Sequence, residues 1–566
     1  MRSATFLTRI AGPDINGSRV VIGTTARLLL LALVLFLAAP ILSVLVRSLQ
    51  DDTGQYVGLA NYLHYLRNPS LSVSIGNTIL VGLLTTVICV PLSFAFAYCL
   101  THTCMPSKRL FAAVTMLPLL APSLLPAMSF VYMFGRQGIL RDWFPFETVY
   151  GPQGICLTQI FYCFPSAVMI LTVALGMNDG RLYEASQALG ASPLRTFWRV
   201  TLPASRFGLV NACFVVFTLV TTDFGAPKII GGNFSVLSTD IYKQVVGQQN
   251  FEMGAVIGVL LLLPTILAFA VTRWLEKRHR SVFSSRSTIH RPARSALDPI
   301  AFVFCLVISA LICLVIGIAG WASFVKFWPY DLSLSLNGYM FQDVDLNGWS
   351  SYVNSLELSL LVTVVGTVVI FIGAYIVEKH EHAWLTRFAL QFLAMLPIAT
   401  PGLILGLGYI IFFNDPANPL SALFGGITIM AVNTIVHFYT VPHITAVTAL
   451  KKIDREFDLV SDSLRASRLM AFRRVTVPLS GSTIADIASF LFVNTMTTVA
   501  ALIFLYTSDT KTAAIAAINM DDSGMPASAI AMGMMIFYTS AIARLLHLGV
   551  VRLLDRRIQR WRDPSS

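Results

Sequence analysis

Glu184-Ala-Ser-Gln-Ala-Leu-Gly-Ala-Ser-Pro-Leu-Arg-Thr-Phe-Trp-Arg-Val-Thr-Leu-Pro203 is a polar stretch lying between two apolar spans. Its residues predict two short helices with a break between them. Glu184 to Leu189 are good helix formers, and Asn178 or Asp179 suits the cap ahead of them. Gly190 fits the stop, because glycine reaches the left-handed conformation that ends helices. Ser192 then fits an N-cap, with Pro193 at the first helical position, where no needed backbone donor is lost. Pro203 is expected to end the unit.

The flanks of this stretch decide the fold class. The chain has 566 residues, 55% hydrophobic and only 12% charged, against about 25% charged in soluble chains. Its apolar runs are about 20 residues long, enough to cross a hydrocarbon core of roughly 30 Å. Twelve spans are predicted, at 28–47, 75–100, 110–134, 155–177, 208–226, 253–275, 299–325, 353–377, 388–413, 427–449, 484–507 and 527–549. With these boundaries, 30 of the 40 lysines and arginines fall in segments on the side of the N-terminus and 7 in the opposite ones. Basic loops mark the cytoplasmic side, so both termini are expected there. The net charge of +11 therefore points to orientation rather than to a nucleic acid. The basic tail 552–562 reads as an anchor near lipid headgroups. The first span is too long for a cleavable signal peptide.

The chain repeats itself. Asn77 corresponds to Asn354 and Ala97-Tyr98 to Ala374-Tyr375, both 277 residues on; Met116-Leu-Pro corresponds to Met395-Leu-Pro, 279 on; Arg199-Val-Thr-Leu-Pro203 corresponds to Arg474-Val-Thr-Val-Pro478, 275 on. Six spans separate the copies, so they share an orientation, as in parallel transporter repeats. The expected organisation is an all-α integral membrane protein. A first six-helix half (1–275), a charged Ser/Arg/Pro linker (276–298) and a second six-helix half (299–566) make it up.

The opening stretch resembles the EAA loop of ABC-transporter permeases. In that pattern Glu-Ala-Ala is followed by three residues, Gly, about nine residues, an apolar residue and Leu-Pro. Glu184, Ala185, Gly190, Leu202 and Pro203 match, with Ala191 beside the glycine; Ser186 replaces the second alanine. The resemblance implies a cytoplasmic loop that docks into an ATPase subunit. The second copy departs from the pattern: Leu459 stands at the place of Glu184 and Arg465 at that of Gly190. Asp458, Asp462, Ala466 and Pro478 keep parts of it. Docking therefore carries over to the second loop as a whole, without a glutamate contact.

The whole chain resembles the fused permeases of type I ABC importers, the iron(III)- and thiamine-type group. This implies a substrate pathway through a bacterial inner membrane, two cytoplasmic ATPase subunits, a periplasmic binding protein and no enzymatic activity in the chain itself. Thr222-Asp-Phe-Gly-Ala-Pro-Lys-Ile-Ile-Gly-Gly and Asn494-Thr-Met-Thr-Thr-Val-Ala-Ala-Leu-Ile-Phe-Leu-Tyr506 look like 2-aminoethylphosphonate permeases, so that compound or a related organophosphonate is the expected cargo. Lys228 and Lys243 suit an anion. The alternative is iron(III), or another small solute such as thiamine. Thr221, Thr222, Asp223, Asn494, Thr497 and Thr498 are the candidates for lining the path. Charges inside spans usually have a function, which adds Asp486 and Glu357 to the residues of interest.

No reaction centre or cofactor site is expected. The string Gly402-Leu-Ile-Leu-Gly-Leu-Gly408 is apolar and reads as close helix packing, not as a phosphate loop. His437 and His443 are six apart on a predicted helix and point to different faces; with His380 and His382 they make no credible metal set. The cysteines have no metal-ligand spacing. A twelve-helix secondary transporter is the alternative from another class. It needs no partner subunits, but it leaves unexplained a repeated loop of about 30 residues between the fourth and fifth span of each half.

Overall fold

The computed structural model of the chain describes residues 13–279, 297–345, 347–379, 384–454, 456–464 and 466–562. Most of it is helical, and Val325–Phe327 pairs with Asp331–Leu334 in a short antiparallel hairpin. Eight helices are long and apolar enough to cross a membrane, and four bent helix pairs raise the number to twelve if each is one span. The bends follow backbone chemistry. Leu117–Leu120 is a short 3-10 turn carrying Pro118, and the chain turns by 99° between it and Leu124–Phe134. The corresponding turn Leu396–Ala399 carries Pro397 and is bent by 112° from Gly402–Phe413. Proline cannot donate the bond that would continue the helix, so its neighbours must satisfy the freed carbonyls within protein. The segments after both bends are accordingly almost wholly buried.

The chain folds into two compact units that interleave the sequence halves. One comprises residues 1–44, 353–511 and 538–566; the other comprises 45–352 and 512–537. The second has a core of Phe94, Phe96, Phe164, Leu171, Val216 and Ile312, among others, drawn from the helices Pro69–His102, Pro152–Gly176, Leu202–Thr222 and Leu297–Ala322. In the first, Tyr409 donates from its hydroxyl to the Phe36 carbonyl at 2.6 Å. There a Cβ on Gly406 would come within 2.8 Å of the Ala501 carbonyl oxygen. The glycine-rich string thus packs against backbone, as its composition predicts.

One expectation is corrected here. Pro203 does not end the unit. The helix runs from Pro193 to Thr222 without a stop, through a π-helical turn at Phe197–Thr201 in which Leu202 N–H bonds to the Phe197 carbonyl. A π turn shifts the bonding register by one residue just ahead of the proline, and the missing donor is absorbed. Beyond the fifth span the chain does not run straight on. The helix breaks at Asp223, and Gly225–Ile230 and Leu237–Tyr242 are short, largely buried helices.

Candidate coupling loop and pathway residues

The polar stretch has the predicted local structure. Asp179 accepts from Arg181 N–H at 3.1 Å and caps Gly180–Ala188. Gly190 has φ +67°. Ser192 accepts from Arg195 N–H at 3.3 Å and caps Pro193–Thr196. One face of Gly180–Ala188 is buried through Tyr183 and Ser186; the other exposes Glu184, Ala185 and Gln187. Leu189 is 85% exposed and Leu194 69%. Ala191 is half-buried; of the closing pair, Leu202 is half-buried and Pro203 exposed.

What holds this loop was not read from the sequence. The Tyr183 hydroxyl meets His102 Nε2 at 3.0 Å, accepts from Asn178 Nδ2 at 3.3 Å and donates to Thr201 Oγ1 at 3.2 Å. Ser186 and Thr196 join the two short helices, hydroxyl to hydroxyl, at 2.7 Å. Phe197 packs edge-on against Phe94 and Tyr98, and Tyr98 stacks on His102 at 4.9 Å. The loop is thereby clamped to the end of Pro69–His102.

The second loop has part of the same geometry. Ser467 caps Arg468–Ala471 by accepting from Met470 N–H at 3.2 Å, and Phe472–Thr476 is again a π turn. Phe472 packs on Phe371 and Tyr375, which correspond to Phe94 and Tyr98. The hydroxyl tie is not repeated, because Asp458 and Lys379 stand where Tyr183 and His102 do. Asp458 and Asp462 lie in the helix Glu456–Ser463, and Ala466 and exposed Pro478 follow on either side of the π turn. Arg465, like His380 and His382, lies outside the described residues.

Most of the pathway candidates bond within their own helices. Thr221 and Thr222 donate to the Thr218 carbonyl, Asn494 to Phe490 and Thr497 to Val493. Thr498 closes the helix Gly481–Thr497. Asp223 instead accepts from Gln159 Nε2 at 2.7 Å and from Ala226 N–H at 3.0 Å, holding the turn after the fifth span. Asp486 is paired with His547 Nε2 at 2.8 Å, a partner missed by sequence because it lies 61 residues on. Glu357 is exposed. Among the described residues, no group of three or more His, Cys, Asp or Glu is placed to hold a metal ion.

The lysines proposed for an anion are both engaged. Lys228 lies 3.1 Å from Asp522 and over the Tyr242 ring. Lys243 donates to Ser235 at 2.8 Å and lies 3.9 Å from Asp240. Beside the first pair, burial pushes the Asp521 carboxyl up to about 6; the Asp522 charge adds to this and Lys228 opposes it.

Comparison with known proteins agrees with this picture. The ferric transport system permease protein FbpB of Actinobacillus pleuropneumoniae is 26% identical over 503 residues, 85% of this chain and 71% of the relative. A protein of Haemophilus influenzae, provisionally named ferric transport system permease protein FbpB 1, is 26% identical over 437 residues, covering 74% of this chain and 67% of its own. A Salmonella choleraesuis protein, provisionally named 2-aminoethylphosphonate transport system permease protein PhnU, is 24% identical over 249 residues, 42% of this chain and 87% of its own. Residues 90–281, which include the clamped loop, match the family described as binding-protein-dependent transport system inner membrane component. Residues 90–281 thus match that family, and together with the spans and the relatives they make the chain an all-α, multi-pass membrane permease of the ABC-importer type.

Proposed function

We propose that the chain forms the substrate pathway of an iron(III) importer and is driven by a separate pair of ATPase subunits. In this reading two six-span halves, 1–275 and 299–566, carry one coupling loop each, and both termini face the cytoplasm. The observation that carries it is the clamp on the first loop. The Tyr183 hydroxyl and the Phe197 ring fix the loop to the Pro69–His102 helix, while Leu189 and Leu194 stay free for a partner. ATP closure on the ATPase would move the loop, and the clamp would pass that motion to the helix. Such coupling works only as far as ATP favours one pore state over the other.

Glu184, Ala185, Gly190, Ala191, Leu202 and Pro203 form the first docking element in this reading. Asp458, Asp462, Arg465, Ala466 and Pro478 belong to the second, which has Leu459 in place of the glutamate and grips less firmly. Thr221, Thr222, Asp223, Asn494, Thr497 and Thr498 flank the ends of the fifth helix in each half and remain the proposed path.

Iron(III) is preferred as cargo because similarity to the ferric permease runs along 85% of this chain, and because neither Lys228 nor Lys243 is free for an anion. The two stretches that resemble phosphonate permeases support 2-aminoethylphosphonate as the second reading. The test is ATP hydrolysis by the reconstituted chain with its genomic-neighbour ATPase and binding protein. Stimulation by ferric iron and not by the phosphonate is expected. Stimulation by the phosphonate alone would reverse the choice of cargo and keep the class.

A further inference from the structure

Beside the clamped loop, the unit formed by 45–352 and 512–537 has an apolar cavity of about 580 Å³. That is within the roughly 300–1,000 Å³ of ligand sites. Its walls come from three helices and the loop: Ala95 and Tyr98 on Pro69–His102, Phe197 of the loop, Leu202 and Leu209 on the helix that follows, and Ile300 on Leu297–Ala322. Pro91 and Ala95 are exposed on one wall, and Ile300 is 65% exposed on another. The groove is therefore open along its length. All three helices are among those long and apolar enough to cross a membrane, which suits an opening that faces lipid.

Leu202, Arg206 and Leu209 are spaced by four and three residues on one helix and so share a face. Arg206 thus stands on the stripe that lines the groove, about one turn from the loop. Its side chain is exposed, its guanidinium carbon lies 4.7 Å from the Phe207 ring centroid, and it makes no ion pair among the described residues. An apolar slot and an arginine without an acidic partner, together at one end of a bundle, match an anionic phospholipid. Basic pockets between membrane helices bind such headgroups, and guanidinium is suited to phosphate.

We propose that this groove binds one acyl chain of an anionic phospholipid, with the lipid phosphate on Arg206. Because Phe197 is a wall of the groove and also part of the clamp, the bound chain packs directly against the coupling loop.

The test uses Trp198, which is 59% exposed and packs edge-on to Phe197 at 5.7 Å. The full chain is reconstituted without partners in vesicles holding equal fractions of brominated phosphatidylglycerol or brominated phosphatidylcholine. The Trp198 signal is taken as wild type minus Trp198→Phe. Stronger quenching by the phosphatidylglycerol is expected. Arg206→Ala should weaken that preference about fivefold, with Arg206→Lys recovering part of it. Ala95→Phe, which fills the slot from an exposed helical position, should abolish the excess while leaving Arg206 in place. Equal quenching by both lipids in the wild type would overturn the proposal. An excess that survives both Arg206→Ala and Ala95→Phe would overturn it as well.

Discussion

One hydroxyl, that of Tyr183, ties three elements together: the helix before the loop through Asn178, the end of a distant helix through His102, and the π turn through Thr201. Tyr183→Phe leaves the ring in place and strands these partners in a buried site, at about 1–3 kcal/mol. The expected result is a lower thermal midpoint and ATPase stimulation reduced several-fold, with the ATPase still associated. Gly190 tests the backbone alone. Nothing lies within 4 Å of a Cβ built there, yet φ is +67°, so Gly190→Val should lose about 1–2 kcal/mol from strain, whereas Gly190→Asn should lose less. Asp521 gives a pH test. Its folded carboxyl titrates near 6, above the ordinary value of about 3.9. Between those pH values the folded chain holds more protons than the unfolded one, so stability falls as pH rises from about 4 to about 6. Asp521→Asn should flatten that slope and raise the thermal midpoint at pH 7; an unchanged slope would contradict the assignment.

At the scale of elements, the two loops share a serine cap and a π turn, but Asp458 and Lys379 stand where the first has Tyr183 and His102. Phe197 and Phe472 both pack on a phenylalanine and a tyrosine of the long helix of their own half, whereas only the first loop has the Tyr183–His102 contact. The account predicts unequal coupling: Glu184→Ala should reduce ATP-driven uptake more than Leu459→Ala, and equal losses in paired uptake assays would refute it. Asn77 and Asn354, matched by sequence, also do matched work. Asn77 Nδ2 donates to the Ser235 carbonyl and Asn354 Nδ2 to those of Asp509 and Lys511, each holding the segment that follows the fifth helix of its half. The caps at Ser192 and Ser467 and the left-handed Gly190 were legible because adjacent residues determine them. The clamp and the Asp486–His547 pair were not. Their partners lie 81 and 61 residues apart, and no periodicity reports which helices pack together. Pro203 was misread for a related reason: whether a proline ends a helix depends on the bonding register of the turn ahead of it.

At the scale of the molecule, the sequence repeat and the packed units are different divisions. The helix leading up to Val44 belongs with 353–511, and residues 512–537 belong with 45–352. Neither sequence half alone holds all the segments of a unit. A chain cut within 280–296 and expressed as two pieces should therefore give protease-resistant protein only when both pieces are made together. A single half that folds and resists protease by itself would contradict this. On the proposed reading, the energy for transport comes from ATPase subunits outside the chain.

The most direct measurement of that claim is cargo uptake into vesicles holding the chain, its ATPase and the binding protein, energised either by internal ATP or by a proton gradient. The account predicts uptake with ATP only, lost in Leu189→Asp through failed ATPase association while the permease keeps its thermal midpoint. Uptake by the chain alone on a proton gradient, unaffected by Leu189→Asp, would contradict it.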